Sequence, residues 1–121
     1  MKKIITIILI IIAIIIIVFA FKNIVHKNNN ANISKENAFK GVYNYCHSNF
    51  DWSIADKNPD IMYVKMNDET ESEYQIMFRS YTGTIIYFNV DKSTGITKMI
   101  EYVPSLDIKN EVGTININNY L

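Results

Sequence analysis

Few residues in this chain have the means to do covalent chemistry. Cys46 and His47 are neighbours, and Cys46 is the only cysteine. A cysteine nucleophile needs a base and an orienting group converging in a cleft. Adjacent residues on a helix point about 100° apart, so adjacency alone makes no dyad. Cys46 falls on an apolar stripe and reads as a buried thiol packing as a small hydrophobe. His47 reads as a charge partner for a helix C-terminus. A disulfide between two copies is the alternative for an exposed Cys46. Asp68, Glu69, Glu71 and Glu73 form an acidic run. A calcium loop would want oxygen ligands at regular offsets and a glycine at the sharp turn, and no glycine lies between Gly41 and Gly83. The run reads as a solvated hairpin tip. With two histidines and four glycines, no acid–base pair, metal cluster or phosphate loop emerges. No enzyme, cofactor or metal site is expected.

Binding offers more. Tyr63, Met77, Tyr87, Met99 and Tyr102 are expected on a sheet face turned away from the helix. Aromatic and methionine side chains on an exposed face suit protein binding. The C-terminal tail or a second copy of the chain could cover that face instead. An edge strand could also accept a partner peptide by strand addition.

These residues need elements to position them, and the patterns supply them. Residues 4–21 are uncharged and apolar apart from Thr6. As a helix they span about 27 Å, close to the hydrocarbon thickness of a bilayer. Lys2 and Lys3 precede the run and Lys22 and Lys27 follow it, so the positive-inside rule is nearly balanced. The short leading tail favours a signal anchor with the N-terminus in the cytoplasm and the rest outside. A cleaved signal peptide is the rival. Val18-Phe19-Ala20 lacks the A-x-A form, and the run exceeds the usual apolar region of such peptides. Residues 22–32, with Asn28, Asn29 and Asn30 at their centre, read as a tether.

Ser34 is a plausible N-cap and Glu36 suits the first turn. Ala38, Phe39, Val42, Tyr43 and Cys46 recur at helical spacing, which predicts an amphipathic helix over 35–48. After Asn49 the period becomes two, with Phe50, Trp52 and Ile54 alternating with polar residues. Asp56 to Asp60 cluster turn residues, and strands are predicted over 61–66, 73–80, 84–91 and 96–103, with an acidic loop over 67–72. A three-residue loop Tyr81-Thr82-Gly83 pairs Phe78 with Ile86, Ile76 with Phe88 and Tyr74 with Val90. A one-residue slip would mix polar residues into both faces, so this register is favoured. Gly83 supplies the left-handed position such a loop wants. In the next turn Asp91 can accept backbone N–H groups. Its register stays open: Val90 opposite Ile96 puts Lys98 on the core face, and Val90 opposite Thr97 puts Glu101 there. Pro104 ends the last strand, and the tail 104–121 carries a weak alternation over 114–118 that could add an edge strand. The fold class is α+β: one N-terminal transmembrane helix, then one helix packed on a four- to five-stranded antiparallel sheet.

Residues 33–103 resemble the PepSY domain. Ile33-Ser34-Lys35-Glu36-Asn37-Ala38 looks like that family's helix-opening I-S-x-x-x-A, and Tyr74-Gln75-Ile76-Met77-Phe78 like its Y-x-V-x-F strand. Val90-Asp91-Lys92-Ser93-Thr94-Gly95-Ile96 looks like its V-D-x-x-T-G-x hairpin. The resemblance implies a PepSY/cystatin-like fold and an extracytoplasmic binding module of Gram-positive bacteria, one that holds a peptidase or cell-wall hydrolase inactive. With no protease domain in the chain, that role is expected in trans. The alternative is a structural or assembly subunit working through residues 4–21.

Charge balance fits these readings. The chain carries 12 basic and 12 acidic residues, which argues against a strongly basic nucleic-acid binder. Residues 50–121 hold 6 basic against 11 acidic, a formal charge of −5, so a basic anchor region precedes an acidic domain.

Overall fold

A computed structural model describes the backbone of residues 1–28 and 32–121 and the side chains of 1–19 and 32–121. The chain divides into two compact units, 1–31 and 32–121. The described part of the first holds a single helix, α1 (Lys2–Asn28). Its described side chains are exposed, isoleucine after isoleucine, and it is long and apolar enough to cross a membrane. A membrane anchor and a signal sequence share that property. The one hydroxyl in the apolar run is satisfied locally, since Thr6 Oγ1 donates to the Lys2 carbonyl at 2.9 Å. The helix continues through residues 22–28, where a tether was expected, because nothing there breaks it. The remainder of that tether, 29–31, lies outside the described residues.

The second unit is α+β. Helix α2 (Lys35–Asn49) is followed by five strands: β1 (Tyr63–Glu69), β2 (Glu73–Arg79), β3 (Ile85–Asp91), β4 (Ile96–Val103) and β5 (Ile108–Asn116). A short 3-10 helix (Ile117–Tyr120) ends the chain. The sheet is an antiparallel meander in the order β1-β2-β3-β4-β5. Ser34 caps α2 by accepting from the Asn37 N–H at 3.1 Å. Ala38, Gly41, Val42 and Cys46 form its buried stripe. Tyr43, expected in that stripe, is exposed, and Gly41 takes a place there.

The β2–β3 hairpin pairs Phe78 with Ile86, Ile76 with Phe88 and Tyr74 with Val90, as the alternation predicted. Gly83 sits at φ +90°. In the β3–β4 turn, Asp91 Oδ1 accepts from the Ser93 and Thr94 N–H groups at 2.8 and 2.9 Å, with Gly95 at φ +77°. Val90 lies opposite Thr97, which resolves the open register. Thr97 is fully buried, and its hydroxyl donates to the Gly95 carbonyl at 3.0 Å. Glu101 falls on the core face opposite Ile86 and stays partly exposed at its rim.

Two segments differ from expectation. The alternating stretch 50–54 forms turns that run into the expected turn cluster at 56–60, and the strand expected from Ile61 begins at Tyr63. Asp51 accepts from the Ser53 N–H, and the Trp52 and Ile54 carbonyls take the next amides, so the backbone satisfies itself locally. Phe50 and Trp52 still pack on Phe78, at 4.6 and 5.7 Å between ring centroids. The acidic loop is also shorter than predicted. Asp68 and Glu69 belong to β1, which passes a bulge between Met66 and Asp68 before turning.

The tail supplies the fifth strand and then crosses to the helix side. Ile117 is fully buried against Gly41, where a Cβ would lie 2.5 Å from Ile117 Cγ1. Asn44 donates to the Tyr120 carbonyl at 2.7 Å, and Tyr45 meets Tyr120 edge to face at 5.1 Å. The core, from Ala38 to Ile117, is drawn wholly from residues 32–121. This part holds a hydrophobic core of its own, the condition for folding alone.

Candidate functional site

Strand parity sorts the sheet into a core face and an outer face. Tyr74, Ile76, Phe78, Phe88, Val90 and Met99 join the core under α2. Met99 is therefore not part of the candidate binding face. The register that places Thr97 opposite Val90 puts Met99 opposite Phe88, on the helix side, where it is 9% exposed. Tyr63, Met77, Tyr87 and Tyr102 do share the outer face. Met77 is paired with Lys65 and Tyr87, Tyr63 with Arg79, and Tyr102 with Ile85.

The outer face reads as three rows across the strands. One row runs Tyr63, Arg79, Ile85, Tyr102 and Lys109. The next runs Lys65, Met77, Tyr87, Ile100 and Glu111. In the third, Asn67 donates to Gln75 Oε1 at 2.5 Å and Gln75 donates to Asn89 Oδ1 at 3.1 Å, with Lys98 next in register. Apolar groups thus occupy the middle and polar groups the border. Tyr87 and Tyr102 stack with ring centroids 6.5 Å apart. Lys65 lies over the Tyr63 ring at 5.7 Å and Lys109 over Tyr102 at 5.2 Å. Tyr102 donates to Asp107 Oδ1 at 3.3 Å, and partial desolvation together with that carboxylate raises its phenol above the usual value. Met77 is only 6% exposed although it faces outward, closed in by these longer neighbours. Arg79 donates to the Ile61 carbonyl, tying the segment before β1 to the sheet.

No helix or strand of the domain lies across this face. Helix α2 and the terminal 3-10 helix both pack on the opposite side. Ion pairs among the described residues converge on Glu69, which accepts from Lys92 at 2.9 Å and Lys35 at 3.3 Å. The bond from Lys92, then that from Lys35, holds the Glu69 carboxyl below the usual range. This arrangement joins the start of α2, the end of β1 and the β3–β4 turn. The outer-face cations Lys65, Arg79, Lys98 and Lys109 have no carboxylate within ion-pair distance among the described residues.

The sequence singled out two other places. Cys46 is fully buried, and burial pushes its thiol up to about 12. His47 is exposed at the end of α2, stacks on Trp52 at 4.0 Å and lies tilted against Tyr43 at 4.1 Å. Trp52 Nε1 donates to the Cys46 carbonyl at 3.0 Å, closing the helix end. The ring stack escapes sequence reading because the alternating residues 50–54 turn locally instead of running extended. The acidic end of the sheet holds a pocket of about 90 Å³ lined by Asp68, Glu69, Thr70, Glu73, Gln75 and Asn89. Among the described residues no group of three or more His, Cys, Asp or Glu is placed to hold a metal ion. The amide row was within reach of the sequence, since the β2–β3 register already sets Gln75 opposite Asn89.

No family model, curated protein or solved structure matches the chain. The likeness to PepSY therefore stands on its short motifs alone.

Proposed function

We propose that the chain is a membrane-anchored, extracytoplasmic protein-binding module that restrains a secreted peptidase or cell-wall hydrolase by binding it. In this reading α1 is retained as a single-pass anchor with its N-terminus in the cytoplasm. The single observation that supports it is the open sheet face. A tail that could have covered the face crosses to the helix side instead. What remains is a surface with Tyr87, Tyr102 and Ile100 at its centre and unpaired cations at its border. Apolar centres with polar rims are characteristic of protein interfaces. The inhibitory element of the reading comes from the PepSY resemblance of residues 33–103.

The test is retention of partners from a membrane and wall extract by immobilised residues 32–121, compared with full-length chain. Retention by the fragment that is lost in Tyr87→Asp or Ile100→Asp supports the face. Retention by full-length chain only would assign partner binding to α1 and make the chain an assembly subunit. Adding the fragment to the retained hydrolase then tests restraint: activity unchanged at saturation removes that part of the reading.

A further inference from the structure

The outer face carries a charge gradient along its strands. At the end near the β2–β3 turn lie Arg79 and Lys109, with Lys65 close by and Glu111 level with Lys65 on β5. At the other end lie Glu73 and Asp91, with Asp68 beside the Gln75–Asn89 amides and Lys98 closing that row on β4. The apolar groups sit between. Such a face is self-complementary under one operation: a two-fold axis lying in the interface and crossing the strands. This axis sets each strand over its own counterpart with its direction reversed. With the axis level with Ile76, Lys65 (level with Met77) falls over Asp68 of the other copy (level with Gln75). By the same count Arg79 falls over the other copy's Glu73, three positions either side of Ile76. Tyr87 and Ile100 meet the amide row and the aliphatic stem of Lys98. The alternative axis, along β3, sets Lys65 over the other copy's Glu111 but stacks Asp91 on Asp91 and leaves Arg79 and Glu73 without ionic partners, so charge favours the first.

We infer that the occupant of this face is a second copy of the chain, forming a face-to-face dimer with Lys65–Asp68 and Arg79–Glu73 contacts between copies. The inference rests on reading the open face as a protein-binding surface, and self-association there competes with capture of a hydrolase. Its size sets the strength. Five strands about 4.8 Å apart and seven residues long at about 3.3 Å offer roughly 500 Å² per copy, or roughly 1,000 Å² for the pair. That lies at the lower limit for a specific interface, so the dimer is weak and reversible.

The test is sedimentation equilibrium of residues 32–121 between about 10 µM and 1 mM, the range where a contact of this size shows. The expected result is a mass rising from one copy to two. Lys65→Glu and Asp68→Lys alone each weaken association about tenfold, a change of about 1.4 kcal/mol. An equimolar mixture of the two variants, or the doubly swapped chain, restores it. Both positions are exposed, so folding is retained and is checked by circular dichroism. A fragment that stays monomeric throughout overturns the inference and leaves the capture experiment above to decide whether another protein uses the face. Association unaffected by either substitution, or not restored by the swap, overturns it by placing the contact elsewhere. Tyr87 and Tyr102 resonances that shift only when vesicles of anionic lipid are added assign the face to a bilayer and also overturn it.

Discussion

Replacing Gly41 by alanine tests the packing that leaves the sheet face open. A Cβ at Gly41 would lie 2.5 Å from Ile117 Cγ1, and 3.1 Å from both Ile117 Cδ1 and its carbonyl oxygen. Real Cβ atoms do not approach that closely, so Ile117 must move, and it is fully buried. Two terms oppose each other. Alanine in place of glycine inside a helix gains up to about 1 kcal/mol. Overpacking a filled site costs about 1–3 kcal/mol. The second term is expected to win, leaving Gly41→Ala less stable by about 1 kcal/mol. Ile117→Ala, which empties a buried site, is expected to cost about 2–5 kcal/mol. The two changes are expected to be less than additive, because the alanine Cβ at position 41 enters the space that Ile117 vacates. A domain of this size holds roughly 5–13 kcal/mol in all, so the single variants still fold. Urea unfolding of residues 32–121 followed by Trp52 fluorescence measures all three. Gly41→Ala as stable as the parent, or a fully additive double variant, would refute the seating of Ile117 on α2.

Three further outcomes are expected. Gly95→Ala combines φ +77° with a Cβ 2.5 Å from Asn118 Nδ2 and 2.6 Å from Ile33 Cδ1, so thermal unfolding should show a loss of at least about 1–3 kcal/mol. Glu69 and Asp91 have carboxyls held below their usual values, by the Lys92 bond and by the Ser93 hydroxyl respectively. Their stabilisation is full above the unfolded-state carboxylate range and is lost as pH falls through the folded values, so a circular-dichroism titration should show acid destabilisation that Glu69→Gln reduces. Cys46, with its thiol raised to about 12 by burial, should resist a thiol-specific reagent at pH 8 in the native domain and react promptly in urea; equal rates would show that the site opens freely.

Legibility in the sequence tracked how local each signal was. The β2–β3 register could be derived because Tyr74, Ile76 and Phe78 alternate strictly and Gly83 fixes the loop. Ser34 and the Ala38–Val42–Cys46 spacing placed α2 to within a residue at its C-terminus. The alternation of Phe50, Trp52 and Ile54 misled, because Asp51 and the nearby carbonyls offered the backbone a turn instead. Met99 was assigned to the wrong face because both β3–β4 registers left one charge at a rim. The choice fell to Thr97, whose hydroxyl finds the Gly95 carbonyl without leaving the core. Of the candidate face, Met77 and Tyr87 followed from the hairpin, while Tyr63 and Tyr102 depended on pairings that no local pattern specified.

By itself the sequence determined the apolar N-terminal helix, the amphipathic helix and the strands β2, β3 and β4. Each is written in a period of side chains and closed by residues with particular backbone preferences. Tertiary structure alone decided where the tail goes and which side of the sheet stays bare. Residues 108–120 have too weak a pattern to choose a layer. Their place was set by the absence of a side chain at Gly41, which admits Ile117, and by the Asn44 amide, which binds the Tyr120 carbonyl. Those partners lie more than seventy residues away along the chain, and packing at that separation exists only once the sheet and helix have met.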